Sequence, residues 1–204
     1  MYEELAQCKG WRFDPTDDDS VQRLTGGMEA IGCFESPSLG KLIPKNVVSG
    51  TVPEGCVWLY EHSRPIHEGE HHHWYVCLIE TDGEPRAPAV IRFSKGSRTL
   101  RTRNQFYTGE ELPLPEPLRQ QLIVYSHQQE GKQDEWPTEL LEQLLEVAPS
   151  LPFRVDVQIH SRLVAVYPAE RNASIDSPDG LEQLMELTRK VVRLLGVSTP
   201  VAVS

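Results

Sequence analysis

Few of the signatures that usually announce a protein's chemistry occur in this chain. Its four cysteines, Cys8, Cys33, Cys56 and Cys77, show no CxxC spacing, which argues against a disulfide or zinc framework. No window approaches the ~20 consecutive apolar residues of a membrane span. The first residues, MYEELAQCKG, offer neither a basic n-region nor an apolar h-region, so no secretory signal is expected. The cysteines are then expected to be free thiols in a reducing cytoplasm, and the Asn172-Ala173-Ser174 sequon has no meaning there. Positive charge is scarce: 20 Lys and Arg stand against 30 Asp and Glu, for a net charge of −10. That balance opposes non-specific binding to nucleic acid or anionic membranes, both of which are polyanions. There is no GxSxG, no P-loop and no GxGxxG. Ser126-His127 and His160-Ser161 are neighbours in sequence only and imply no triad.

What is present is a packable chain. Of 204 residues, 39% are hydrophobic and 25% charged, which supports a folded core and opposes global disorder. The expected division is an N-terminal extension over 1–45 packed on the main domain, an α+β domain over 46–197, and a C-terminal tail over 198–204. In the extension, Asp17, Asp18 and Asp19 read either as a metal or acid/base site or, more plainly, as acids at a helix N-terminus.

The chain is organised around the stretch from Asn46 to Glu80. Val47–Val52 reads as a strand and Pro53-Glu54-Gly55 as a turn. Two apolar, aromatic-rich strands follow, Val57–His62 and Trp74–Glu80, separated by a polar loop. Their near-continuous hydrophobicity suits a sheet covered on both faces. Thr81-Asp82-Gly83-Glu84 carries the Asp-Gly hairpin signal, with Ala89–Phe93 as the next strand. Leu118–Ser126 resumes as a strand after an unpatterned section.

Leu140, Leu141, Leu144, Leu145 and Ala148 make the stripe of a one-sided helix opened by Pro137. Phe153, Val155, Val157 and Ile159 alternate with Arg154, Asp156 and Gln158, a period of two that predicts a half-buried strand. His160-Ser161 reads as a tight turn, with Leu163–Tyr167 as hairpin partner. Ser177 and Pro178 predict the start of a last helix, whose apolar face includes Leu181, Leu184, Met185, Val191, Val192 and Leu195. Gly196 is its expected stop. The whole predicts an α+β fold: a curved, mostly antiparallel sheet of about seven strands, with a mid-chain helix and a C-terminal helix packed on it. Seven strands closed by a helix is also the layout of pleckstrin-homology-like barrels, an analogy of fold that says little about a ligand.

The order of these segments resembles a family of uncharacterised bacterial proteins. The likeness rests on Gly10-Trp11-Arg12-Phe13, on Asn46-Val47-Val48-Ser49-Gly50-Thr51 followed by Val57-Trp58-Leu59-Tyr60, and on a His-containing loop before a second apolar strand. It continues through a strand like Arg119–Tyr125, a helix, the hairpin Phe153–Tyr167 and a leucine-rich last helix, so it covers roughly residues 10–195. Many members of that family carry one or two transmembrane helices ahead of such a domain. This sequence shows none, so no membrane role is implied, and the family has no established activity from which catalytic residues would carry over.

Two clusters are candidate sites. His62, His67, His71, His72 and His73 lie within twelve residues, beside Glu61, Glu68 and Glu70. Imidazoles and carboxylates are ligands for zinc or nickel. His71 and His73, two apart on a strand, would chelate from one side, with His62 or His67 as a third ligand. The spacing matches no established zinc motif, and a solvated loop rich in histidine is the plainer account. Arg98, Arg101 and Arg103 form a basic cluster that reads as an anion site, or as a solvated edge in an acidic protein. No cofactor is otherwise implied. The expected function is a non-enzymatic cytoplasmic module that binds a protein or a small molecule. The alternatives are a metal-dependent hydrolase using the histidine loop 62–73, and a structural homo-oligomer.

Overall fold

Antiparallel strands bury their backbone polar groups against one another and offer two faces for side chains, and this chain uses both faces. The computed structural model describes residues 1–16, 21, 44–67, 70–93, 110–126, 136, 138–147, 154–168 and 175–197, with the backbone alone at 62–67, 70–74 and 197. The strands are β1 (Arg12–Asp14), β2 (Pro44–Val52), β3 (Gly55–His67), β4 (Glu70–Glu80), β5 (Arg86–Phe93), β6 (Glu110–Glu111), β7 (Leu122–Ser126), β8 (Val155–Ser161) and β9 (Leu163–Pro168). They form one nine-stranded sheet in the order β1-β2-β3-β4-β9-β8-β5-β7-β6. The helices are α1 (Tyr2–Lys9), α2 (Leu118–Gln121), α3 (Thr138–Val147) and α4 (Pro178–Val197).

The α+β class and the antiparallel sheet are as expected, but the count of about seven strands is corrected to nine among the described residues. The edge strands β1 and β6 are three and two residues long, too short for any period to show. The polar loop between Val57–His62 and Trp74–Glu80 is also corrected. The backbone ladder of β3 and β4 runs on through it, from Cys56 opposite Glu80 to His67 opposite Glu70. Asp82-Gly83 does not close a hairpin, because β4 pairs with β9 while β5 pairs with β7 and β8. The first residues of the expected strand Leu118–Ser126 coil as α2, and the strand begins at Leu122. Gly196 lies inside α4, which continues to Val197.

The helices cover one face. Leu140, Leu141 and Leu144 of α3 and Leu181, Leu184, Met185, Val191 and Leu195 of α4 pack on Leu59, Cys77, Ile91, Val157 and Val166. The opposite face holds a smaller cluster of Val47, Tyr60, Val76, Leu78, Ala165 and Tyr167, closed by Val21. On that face β8 buries Asp156 and Gln158, 3% and 0% exposed, so the half-buried reading of this strand is corrected to one buried on both sides. Residues 1–16 join the same body: β1 extends the sheet beside β2, and Tyr2, Leu5 and Ala6 of α1 enter the main core. Trp11 lies flat over Gly50, where a Cβ would stand 2.4 Å from its ring, so the side-chain-free strand position makes the docking surface for the indole. Gly55, at φ +144, sets the β2–β3 turn against the Glu80 carbonyl, 2.0 Å from where its Cβ would be, an approach only glycine permits.

A candidate ligand cleft at the turn end of the sheet

The β2–β3 turn, the β4–β5 link, the β8–β9 turn, the last turn of α4 and the start of α3 converge at one end of the sheet. They enclose a cleft of about 560 Å³, within the ~300–1,000 Å³ of small-molecule sites. Leu140, Val164, Val192, Leu195 and the half-buried Trp136 supply its apolar lining, and Glu54, Asp82, Glu84, Arg86 and Arg162 its charges.

Arg86 opens β5 opposite Ser161 of β8. It is half-buried, and its Nη2 donates to the Leu195 carbonyl. That carbonyl is in the last turn of α4, where main-chain acceptors lack an intrahelical partner. A cation there also meets the negative end of the helix dipole. Burial alone pushes the Arg86 guanidinium down from its ordinary value. Among the described residues no carboxylate is paired with it. It stays charged at neutral pH all the same.

Glu54 is the more deeply buried charge of the cleft. Its side chain is 8% exposed and ties the β2–β3 turn to α4. Arg189 donates to it through Nε at 2.6 Å and through Nη2 at 3.3 Å, and Arg193 Nε lies 3.3 Å away. Burial pushes the Glu54 carboxyl up. The Arg189 hydrogen bond, a main-chain hydrogen bond and the charges of Arg189 and Arg193 outweigh it and hold the group below its ordinary value. Glu54 is thus saturated by α4, whereas Asp82, Glu84 and Arg162 are exposed.

The opposite end of the sheet is the root of the histidine ribbon. His71 lies opposite Pro65 and His73 opposite Ser63, two residues apart on β4. His62 lies opposite Trp74, one step out of phase with that pair, and His67 opposite Glu70. The side chains of all four lie outside the described residues, as do Asp17, Asp18, Asp19, Arg98, Arg101 and Arg103 altogether. Among the described residues no three His, Cys, Asp or Glu side chains gather where a metal ion would fit. At the ribbon's root Glu61 stands opposite Tyr75. Asn46, in a bulge of β2 at φ 54, donates to Glu61 at 3.4 Å. The Tyr2 hydroxyl is buried there with no hydrogen-bond partner among the described residues. Burial, then Glu61 and Tyr75, push it up.

Cys77 is fully buried, and burial pushes its thiol up to about 12 against the opposing Thr188 hydroxyl, so it is no nucleophile at neutral pH. The Ser126 hydroxyl donates to the Pro88 carbonyl at 3.4 Å. Sequence reasoning missed the cleft because its walls come from segments far apart in the chain. Trp136, a lone aromatic in a polar stretch, was the one local hint. Comparison with protein-family models, with curated proteins and with solved structures yields no match to this chain.

Proposed function

We propose that this chain is a non-enzymatic cytoplasmic binding module that takes a small ligand in the cleft at the turn end of the sheet. The observation that carries this reading is a ligand-sized cleft of mixed lining, apolar at Trp136, Leu140, Val164 and Val192, with a half-buried cation, Arg86. Such a mixture fixes the orientation of a small ligand. The test is a thermal-shift screen of small fragments on the native protein and on Gly196→Trp. Gly196 lines the cleft and a Cβ there meets nothing within 4 Å, so a large side chain is tolerated at the cleft's edge. Fragments that raise the native melting temperature and lose their effect in Gly196→Trp are the expected result. Hits indifferent to that variant, or no hits at all, would sink the cleft as a site.

A second reading, metal-dependent hydrolysis on the histidine ribbon, draws support from His71 and His73 standing two apart on one continuous strand. It requires near-stoichiometric zinc or nickel in dialysed, tag-free protein, lost in His71→Ala/His73→Ala. A homo-oligomer paired through sheet edges comes last, because short edge strands such as β6, with Glu110 and Glu111 both exposed, resist edge-to-edge pairing. The pleckstrin-homology analogy has the run β1-β2-β3-β4 and the C-terminal helix in its favour, and the β9-β8 pair set between β4 and β5 against it. Kinship with the uncharacterised bacterial family is part of the same proposal and rests on the order of elements alone.

A further inference from the structure

We infer that the cleft takes a monocarboxylate with an aromatic or branched apolar body, held at its charged end by the Arg86 guanidinium. This rests on the cleft being the ligand site and names what it binds. A guanidinium has five N–H donors in a planar fork. Arg86 spends its Nη2 on one neutral acceptor, the Leu195 carbonyl. Arg86 is half-buried, and no carboxylate among the described residues opposes it. The acids of the cleft do not supply the missing charge. Glu54 is taken by Arg189 and Arg193, and Asp82 and Glu84 are exposed, where water and salt screen them. A carboxylate matches the guanidinium fork with two parallel hydrogen bonds.

The charge of the ligand is bounded by α4. Leu195 and Gly196 line the cleft and belong to the helix's last turn, whose carbonyls carry the negative end of the dipole. A dianion such as a phosphate monoester would set its second charge against those carbonyls, so a single negative charge fits. The body of the ligand is set by Trp136, Leu140, Val164 and Val192, a lining that rewards an aryl ring or a branched chain over a polar one.

The test uses three matched probes, 3-phenylpropionate, 3-phenylpropionamide and 3-phenylpropylamine, titrated calorimetrically into the native protein, Arg86→Gln and Gly196→Trp. Expected is a carboxylate affinity at least about tenfold above that of the amide, as befits a charge-assisted hydrogen bond, with no binding of the amine. In Arg86→Gln the carboxylate falls to the level of the amide, whose own affinity is unchanged. In Gly196→Trp neither binds. Equal binding of carboxylate and amide to the native protein overturns the anionic class and leaves the cleft standing as a site. Carboxylate binding that survives Gly196→Trp, or silence from all three probes, overturns the inference. Should Arg86→Gln fail to fold, the acid-to-amide ratio on the native protein decides alone.

Discussion

On the helix-covered face of the sheet, β8 contributes Val157 and Ile159 to a continuous apolar core; on the other face, the same strand buries Asp156 and Gln158. Neighbouring strands follow suit. Ile91 of β5 points to the helices, and Arg92, opposite Asp156, makes an ion pair with it at 3.3 Å with the two side chains 18% and 5% exposed. Toward β2, β3, β4 and β9 the second face returns to apolar packing around Tyr60, Leu78 and Tyr167. One face is thus held by hydrophobic burial, which is non-directional. The other is held in part by polar partners, which cost little when matched and much when orphaned. Alternation along a strand reports which residues differ in polarity, and it does not report which face is wet.

Truncating the buried acid gives the largest expected effect. Asp156→Ala removes the buried carboxylate that ion-pairs with Arg92 and is expected to cost about 3–5 kcal/mol in urea unfolding. The double variant Arg92→Met/Asp156→Leu should recover most of that loss, because it removes both charges together. A single-variant cost near zero would mean that the second face is open to water. One residue along, Val157→Ala deletes apolar volume from the helix-facing core, with no charge involved. A loss of about 2 kcal/mol is expected from transfer and cavity terms combined, at every pH and salt concentration. A marked salt dependence for Val157→Ala would erase the contrast between the faces.

The clasp at the cleft sharpens the contrast at smaller scale. Glu54→Gln is expected to cost about 1.5 kcal/mol at pH 7, the worth of a hydrogen bond to a charged group. The folded Glu54 carboxyl lies below its ordinary value, so its stabilisation is present above the unfolded value near ~4.3. It is lost as pH falls through the lowered folded value. The gap between native protein and variant should therefore be the same at pH 6 and pH 8 and close in strong acid. A gap that widens in acid would show the sign to be wrong.

Much of the fold was legible because it is written locally. The Ser177 N-cap is made as read, with the Gly180 N–H donating to its Oγ at 3.3 Å. The apolar face from Leu181 to Leu195 is the buried one, and the β8–β9 hairpin turns at Ser161, φ 56, beside His160. The inert Cys77 followed from its apolar strand. Helix α1 was overlooked, although Glu3 and Glu4 in its first turn and Lys9 in its last match the dipole pattern. The histidine segment hid its strand character because a polar residue at nearly every position erases the period of two on which strand reading depends.

The candidate site was not legible in the same way. Arg86 stands in a Pro-rich link with no motif around it, and the carbonyl it donates to, Leu195 in α4's last turn, lies 109 residues away in sequence. Periodicity, caps and turn residues act across a few positions, so the sequence by itself determined the kind of element at most places and the charge on the surface. Which strands pair is settled by burial summed over distant segments against the entropy of closing the loops between them. That competition placed β9 and β8 between β4 and β5. It buried Asp156 and Gln158, and it opened a cleft between turns that lie far apart in the chain. Those features belong to the tertiary structure because each needs partners that no local stretch contains.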